Sequence, residues 1–304
     1  MKRYLLVLLN VLLATVALEA QEKDTKCYAQ HDTLSLYLDI YRPEQMREAM
    51  PCVMYIFGGG FVGGVRDDDY ARRFCSRMAD NGFVAVAIDY RLGMKGVTNP
   101  GVFNYKPVKN SIDMAAEDAI LAIEYLVRNA VELHIATDSI ILVGSSAGAI
   151  TALQTDYYIV NEHDYASVLA DNFRLAGVVA YSGAIFSTKG KLRYKNPPAP
   201  TMMFHGTRDK LVPYKQIKFF NIGFFGSDRI VKRFKNYDFP FYIRRYQGFA
   251  HGVAMFFDST VDDVLWFYET YVRQGCRLQV DECRFDLDGN RPASDDISAD
   301  DLYK

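Results

Sequence analysis

The sequence contains no CxxC and no cysteine–histidine cluster at zinc spacing, so nothing in it calls for a metal. No charge of one sign dominates. Lys and Arg number 35 against 37 Asp and Glu, a net charge of -2 without a long basic run, which argues against nucleic acid or an anionic membrane surface as partner. No apolar run reaches the roughly 20 residues that a bilayer-spanning helix requires, so stable membrane insertion is not expected. No internal repeat or low-complexity linker divides the chain, and one main domain is the simplest organisation. Cysteine is sparse and odd in number: Cys27, Cys52, Cys75, Cys276 and Cys283 leave at least one thiol unpaired. Cys276 and Cys283 are close enough in sequence to bridge, whereas Cys52 and Cys75 lie in apolar surroundings and read as small buried hydrophobes.

What is present is the composition of a folded protein, 50% hydrophobic and 24% charged over 304 residues. Residues 1–20 stand apart: Lys2 and Arg3, an apolar stretch from Tyr4 to Ala17, then small residues at Ala17 and Ala20. This is the pattern of a secretory signal peptide cleaved after Ala17 or Ala20, and it predicts export to the periplasm or the outside. Neither cleavage position is followed by a cysteine, which argues against a lipid anchor. From about Gln279 to Lys304 the composition turns polar and acidic, and the expectation is a disordered tail. Its aspartates do not make a calcium loop, because Gly289 precedes Asn290 where the loop motif requires the reverse.

Between these ends, residues 21–278 alternate apolar runs with helical periodicity. Strands are expected at "LSLYLDIY" (34–41), "CVMYIF" (52–57), "FVAVAID" (83–89), "SIILVG" (139–144), "LAGVVAYSG" (175–183), "PTMMFHG" (200–206) and "PFYIRRY" (240–246). Helices are expected over "DYARRFCSRMADNG", over Ser111–Asn129, from Ala147, across an aromatic-rich region before Pro240, and over "VDDVLWFYETYV". Strands that are apolar on both faces and alternate with helices imply an α/β fold, a mostly parallel twisted sheet of about eight strands covered on both sides.

One of these strands ends in "ILVGSSAGA", Ile141 to Ala149. In a G-x-S-x-G turn the flanking glycines are needed because the backbone folds too tightly for side chains, and the central serine is pushed into an exposed, uncommon conformation. Here the centre is Ser146, between Gly144 and Gly148. The pattern arises by chance in about one chain in ten of this length, so its position between strand and helix carries the weight. A serine nucleophile requires a base, an acid that orients the base, and donors for the oxyanion. Asp209 follows the strand "PTMMFHG" and His251 follows "PFYIRRY", giving the chain order Ser146, Asp209, His251 at strand ends where open α/β sheets bind ligands. "FGGGF" at Phe57–Phe61 closes an earlier strand, and the N–H groups of Gly59, Gly60 and Ala147 are the candidates for an oxyanion hole. His31, His134, His163 and His205 read as structural, with His205 shaping a strand-end turn.

Taken together, "LDIYRP", "FGGGFVGG", "AIDYRL", "GSSAGA", "HGTRDKLVP" and "GFAHG" make the sequence resemble the α/β-hydrolase superfamily over about residues 28–275. The resemblance is to its carboxylesterase branch with a glycine-rich oxyanion loop, and the chain is similar to secreted bacterial feruloyl and acetyl-xylan esterases. It implies a cofactor-free serine carboxylic-ester hydrolase with Ser146 as nucleophile, Asp209 as acid and His251 as base, acting on a small-molecule or polysaccharide ester. Phe57 stands where that family usually has histidine, so the glycine loop is expected to survive with altered support. The stretches 97–107 and 219–241 are candidates for a lid over the acyl site. Two alternatives stay open: a peptidase or amidase of the same fold, and a catalytically silent binding relative.

Overall fold

A computed structural model describes residues 23–98 and 104–285; the predicted signal peptide, part of the 97–107 stretch and the tail beyond Phe285 lie outside them. The chain begins with the hairpin β1 (Asp24–His31) and β2 (Leu34–Tyr41), followed by β3 (Met50–Ile56), α1 (Asp69–Asp80) and β4 (Val84–Ile88). Next come the long α2 (Lys106–Arg128), the single turn α3 (Ala130–Leu133), β5 (Ile135–Ser145) and α4 (Ala147–Val160). The second half runs β6 (Gly177–Tyr181), β7 (Ala184–Ser187), β8 (Thr201–Gly206), β9 (Gln216–Phe219), β10 (Ile222–Gly226) and α5 (Ser227–Tyr237). It closes with β11 (Phe241–Gln247), α6 (Val261–Phe267) and β12 (Gln279–Phe285).

Nine strands form one sheet in the order β1-β2-β4-β3-β5-β6-β8-β11-β12. Only β2 runs against its neighbours β1 and β4; every other pairing is parallel. The parallel strands in the middle are buried on both faces, β4 and β6 along their whole length, which is why they read as unbroken apolar runs. Helix α4 packs against the centre of this sheet and is buried at every position from Ala147 to Val160. In α1, by contrast, only the stripe Ala71, Phe74, Cys75, Met78 and Ala79 is buried, the spacing of one helical face.

Three expectations need correction. The aromatic-rich region before Pro240 is helical only from Ser227; before that, β9 and β10 form a hairpin that joins β7 in a small antiparallel sheet. Period-two Ile217, Phe219, Ile222 and Phe224, with Gly223 and Gly226 weakening any helix, account for it. Residues 279–285, expected in the polar tail, are strand β12, parallel to β11 at the sheet edge. The last helix also changes pitch, passing from α6 into a wider π-helical turn over Tyr268–Arg273. All five cysteines are free thiols, so Cys276 and Cys283 are not bridged, and Cys52 and Cys75 are buried.

Candidate active site

The turn after β5 meets the steric demand read from its sequence. Ser146 sits at φ 52° and ψ -115°, a region L-residues rarely occupy. A methyl group on Gly144 would stand 2.2 Å from the carbonyl oxygen of Gly148, and one on Gly148 would stand 2.0 Å from that of Ile56. Both obstacles are backbone and cannot move aside. The Ser146 N–H donates to Tyr181 O at 2.8 Å, which ties the strained residue to β6.

The two adjacent serines divide their work. Ser145 Oγ is buried and donates to the Ala254 carbonyl at 2.7 Å, fastening the short 3₁₀ turn His251–Met255 to the end of β5. Ser146 Oγ instead lies 2.9 Å from His251 Nε2. His251 Nδ1 lies 2.8 Å from Asp209 Oδ2. An ionised carboxylate can only accept, so Nδ1 carries the ring proton and Nε2 is left as acceptor for the serine hydroxyl.

Asp209 and His251 come from loops after β8 and β11 that are joined by main-chain bonds. Thr207 N–H donates to Tyr246 O at 3.0 Å, Arg208 N–H to Phe249 O at 2.9 Å, and Gly248 N–H to Thr207 Oγ1 at 3.0 Å. Gly206 permits the contact, since a methyl group there would stand 2.1 Å from Ala250 O. Asp209 Oδ1 accepts from the N–H groups of Leu211 and Val212, both at 3.0 Å. Burial pushes its carboxyl pKa up, but hydrogen bonds from His205 and His251 outweigh that and hold it well below the usual carboxylate range.

His205 therefore does more than shape a turn. It is fully buried, with Nε2 3.1 Å from Val212 O and 3.3 Å from Asp209 Oδ2. Both neighbours are acceptors, so the proton is on Nε2, and Nδ1 accepts from the Ser227 hydroxyl at 2.8 Å. The sequence signal was the spacing of His205 four residues before Asp209 across a strand end. The other histidines are occupied elsewhere: His31 contacts Asp118, His134 ends α3 in a left-handed conformation, and His163 stacks on Tyr158.

The glycine loop after β3 lies against Ser146. A methyl group on Gly58 would be 3.4 Å from Ser146 Cβ, so this glycine, which the sequence reading passed over, is the close approach. Gly59 and Gly60 follow at φ 109° and 61°, and a side chain on Gly59 would meet Gly63 O at 2.3 Å. Phe57 supports the loop by a different route from an imidazole: it is buried and stacked on Tyr90 with ring centroids 4.4 Å apart. Tyr90 Oη also donates to Phe57 O at 2.9 Å. The N–H of Ala147 is in the first turn of α4, where no intrahelical carbonyl takes it.

The candidate lid stretches divide. Phe234, Phe239 and Phe241 are core residues, whereas Phe219 and Phe220 are exposed at the β9–β10 turn. Tyr105 stacks on Phe186 of β7, with ring centroids 6.1 Å apart. Among the described residues no group of His, Cys, Asp and Glu could hold a metal ion, and no helix is long and apolar enough to cross a membrane.

Residues 38–185 match the family model described as BD-FAE. Over 116 residues the chain is 30% identical to a fumonisin B1 esterase of Sphingopyxis macrogoltabida, covering 38% of this chain and 21% of that protein. Over 127 residues it is 27% identical to gut esterase 1 of Caenorhabditis briggsae, covering 42% of this chain and 21% of that one. The chain thus spans about a fifth of the length of these curated relatives. Among solved structures, Thermogutta terrifontis esterase 2 phosphonylated by cyclosarin superposes with a TM-score of 0.63 at 21% identity, over 83% of this chain and 95% of that one. Its propionate-bound form gives 0.60 at 22% over the same shares. The mostly parallel nine-stranded sheet and its superposition on the solved esterases show the α/β-hydrolase fold, and residues 38–185 are similar to proteins whose matched relatives are esterases.

Proposed function

We propose that this protein is an exported serine carboxylic-ester hydrolase that works through an acyl-enzyme intermediate. The observation that carries the reading is the unbroken hydrogen-bond chain from Ser146 Oγ through His251 to Asp209, at 2.9 and 2.8 Å, ending on a carboxylate held ionised. His251 Nε2 takes the hydroxyl proton as Ser146 Oγ attacks the ester carbonyl, and Asp209 stabilises the imidazolium that forms. The N–H groups of Gly59, Gly60 and Ala147 receive the oxyanion, each such donor typically lowering the barrier by about 3 kcal/mol. Collapse of the tetrahedral intermediate breaks the C–O bond to the alcohol, which leaves with the proton from Nε2. Water then repeats the cycle: His251 takes its proton, hydroxide adds to the acyl carbonyl, and Ser146 departs reprotonated. No step calls on a cofactor.

The substrates proposed are short-chain or aromatic acyl esters, such as those on acetylated or feruloylated polysaccharide. The esterase names among the matched relatives favour ester over amide cleavage. The predicted leader and the family resemblance favour an extracellular polymer. Replacing Ser146 by Ala should reduce hydrolysis of 4-nitrophenyl acetate to background while leaving far-UV circular dichroism unchanged. Retained turnover in that variant excludes Ser146 as nucleophile. Acetylated xylan, a feruloylated oligosaccharide and a triglyceride, compared by product analysis, decide the acyl and alcohol classes.

A further inference from the structure

Beside α5 lies a cavity of about 290 Å³ whose charged lining is entirely cationic. Its lysines and arginines come from three separate segments: Lys191 from the β7–β8 connection, Lys218 from β9, and Arg229, Lys232 and Arg233 from α5. The α5 residues stand at i, i+3 and i+4, opposite the buried Ile230, Val231 and Phe234, so one helix face supplies the core and the other this basic wall. Buried Leu192 and Phe225 give the cavity an apolar flank.

Elsewhere the protein pairs several half-buried arginines with carboxylates. Arg91 faces Glu117 and Asp118, and Arg244 faces Asp263 and Glu282. Around this cavity half-buried Arg233 has no carboxylate, and the exposed cations beside it are left largely unneutralised. Among the described residues Lys191, Lys218 and Arg229 have no ion pair, and Arg233 Nε is buried without an acceptor. Arg233 Nη2 spends its hydrogen bond on Tyr237 Oη, which is neutral. Lys232 does contact Asp228 at 2.7 Å, but that carboxylate also answers Arg245 at 3.0 Å. Five cations brought to one concavity repel one another, and in a chain of net charge -2 they are not a by-product of a basic surface.

We infer that this cavity is a binding site for a compact ligand bearing an oxyanion, a phosphate or a carboxylate on a body about the size of a single sugar. Guanidinium and ammonium donors arranged around one hollow suit such a group, and the planar fork of an arginine suits it bidentately. A volume of about 290 Å³, open to solvent on one side, holds roughly ten waters, enough to seat one sugar ring with its charged group. Binding here is independent of the hydrolytic reading, because no residue of the cavity belongs to the Ser146 site.

The test is isothermal titration of the full chain at fixed ionic strength with three probes: inorganic phosphate, glucuronate and glucose. Saturable one-to-one binding of phosphate or glucuronate is expected, with none for glucose, and the tighter of the two anions identifies the oxyanion. The double variant Lys218→Gln/Arg229→Gln, both positions exposed and free of packing duties, should weaken that binding at least tenfold, while Ser146→Ala leaves it unchanged. Failure of both anions to saturate, or equal affinity in the double variant, overturns the site whatever the esterase assays return.

Discussion

Asp209 is fixed by four donors, two main-chain N–H groups on Oδ1 and two imidazoles on Oδ2. An amide at this position presents either a nitrogen to His251 Nδ1 or a weaker, uncharged acceptor. Asp209→Asn should therefore lower kcat by about 10⁴-fold with KM little changed, read with 4-nitrophenyl acetate. Because its folded pKa lies below the unfolded value, Asp209 contributes stability at neutral pH that is lost as pH falls through the folded value. His205 acts through Asp209 and not on substrate, so it is a positioning residue. Replacing it by Phe leaves Val212 O and the Ser227 hydroxyl unpaired and removes one donor from the carboxylate. The expected outcome is a loss of about 1–3 kcal/mol in urea unfolding, together with a lower kcat and an acid limb of the kcat profile that moves. A stability loss with an unmoved pH profile would reduce His205 to a packing role.

At the scale of elements, the unit that matters is β5, the turn and α4. Gly148→Ala places a methyl group against the Ile56 and Phe57 carbonyls at the end of β3 and the start of the glycine loop, and should destabilise the fold by about 3 kcal/mol. Gly63→Ala meets nothing within 4 Å and should stay within about 0.5 kcal/mol, so the pair of unfolding curves separates close approach from loss of glycine as such. Further along α4, Asp156 is buried, and desolvation raises its carboxyl to about 7 against weaker lowering by the Ala199 N–H and Arg174. Unfolded, the same group ionises near pH 4. Between about pH 4 and 7 the native state keeps a proton that the unfolded chain has released, so stability falls as pH rises through that window. The loss tends towards the order of 4 kcal/mol above pH 7. Asp156→Asn should flatten the dependence and raise stability at pH 8; equal slopes for both proteins in urea titrations at pH 5 and 8 would contradict it.

Across the whole molecule, legibility followed burial. The doubly covered strands β3, β4, β5, β6 and β8 announced themselves as apolar runs, and the turn at Ser146 did so because sterics dictate its glycines. Edge and satellite strands did not. In β12 the polar run Asp281, Glu282, Cys283 and Arg284 shows no apolar alternation, and what holds it is pairing to β11 with ion pairs from Asp281 to Arg245 and from Glu282 to Arg244, so the segment read as tail. Hairpin β9–β10 was hidden by aromatics that fit either period. His205 looked incidental because its partner arrives only when the chain turns back after β8. Ending the chain after Leu278 should therefore lower Tm by at least about 5 °C while sparing kcat at 25 °C, since β12 gives no hydrogen bond to Ser146, His251 or Asp209; loss of activity without loss of stability would contradict that division. The central claim is that one serine is activated by one imidazole. Its most direct measurement is peptide mass spectrometry after reaction with a fluorophosphonate. A single adduct on Ser146, absent from Ser146→Ala and strongly slowed in His251→Ala, is predicted; an unmodified chain, or an adduct on any other residue, would contradict it.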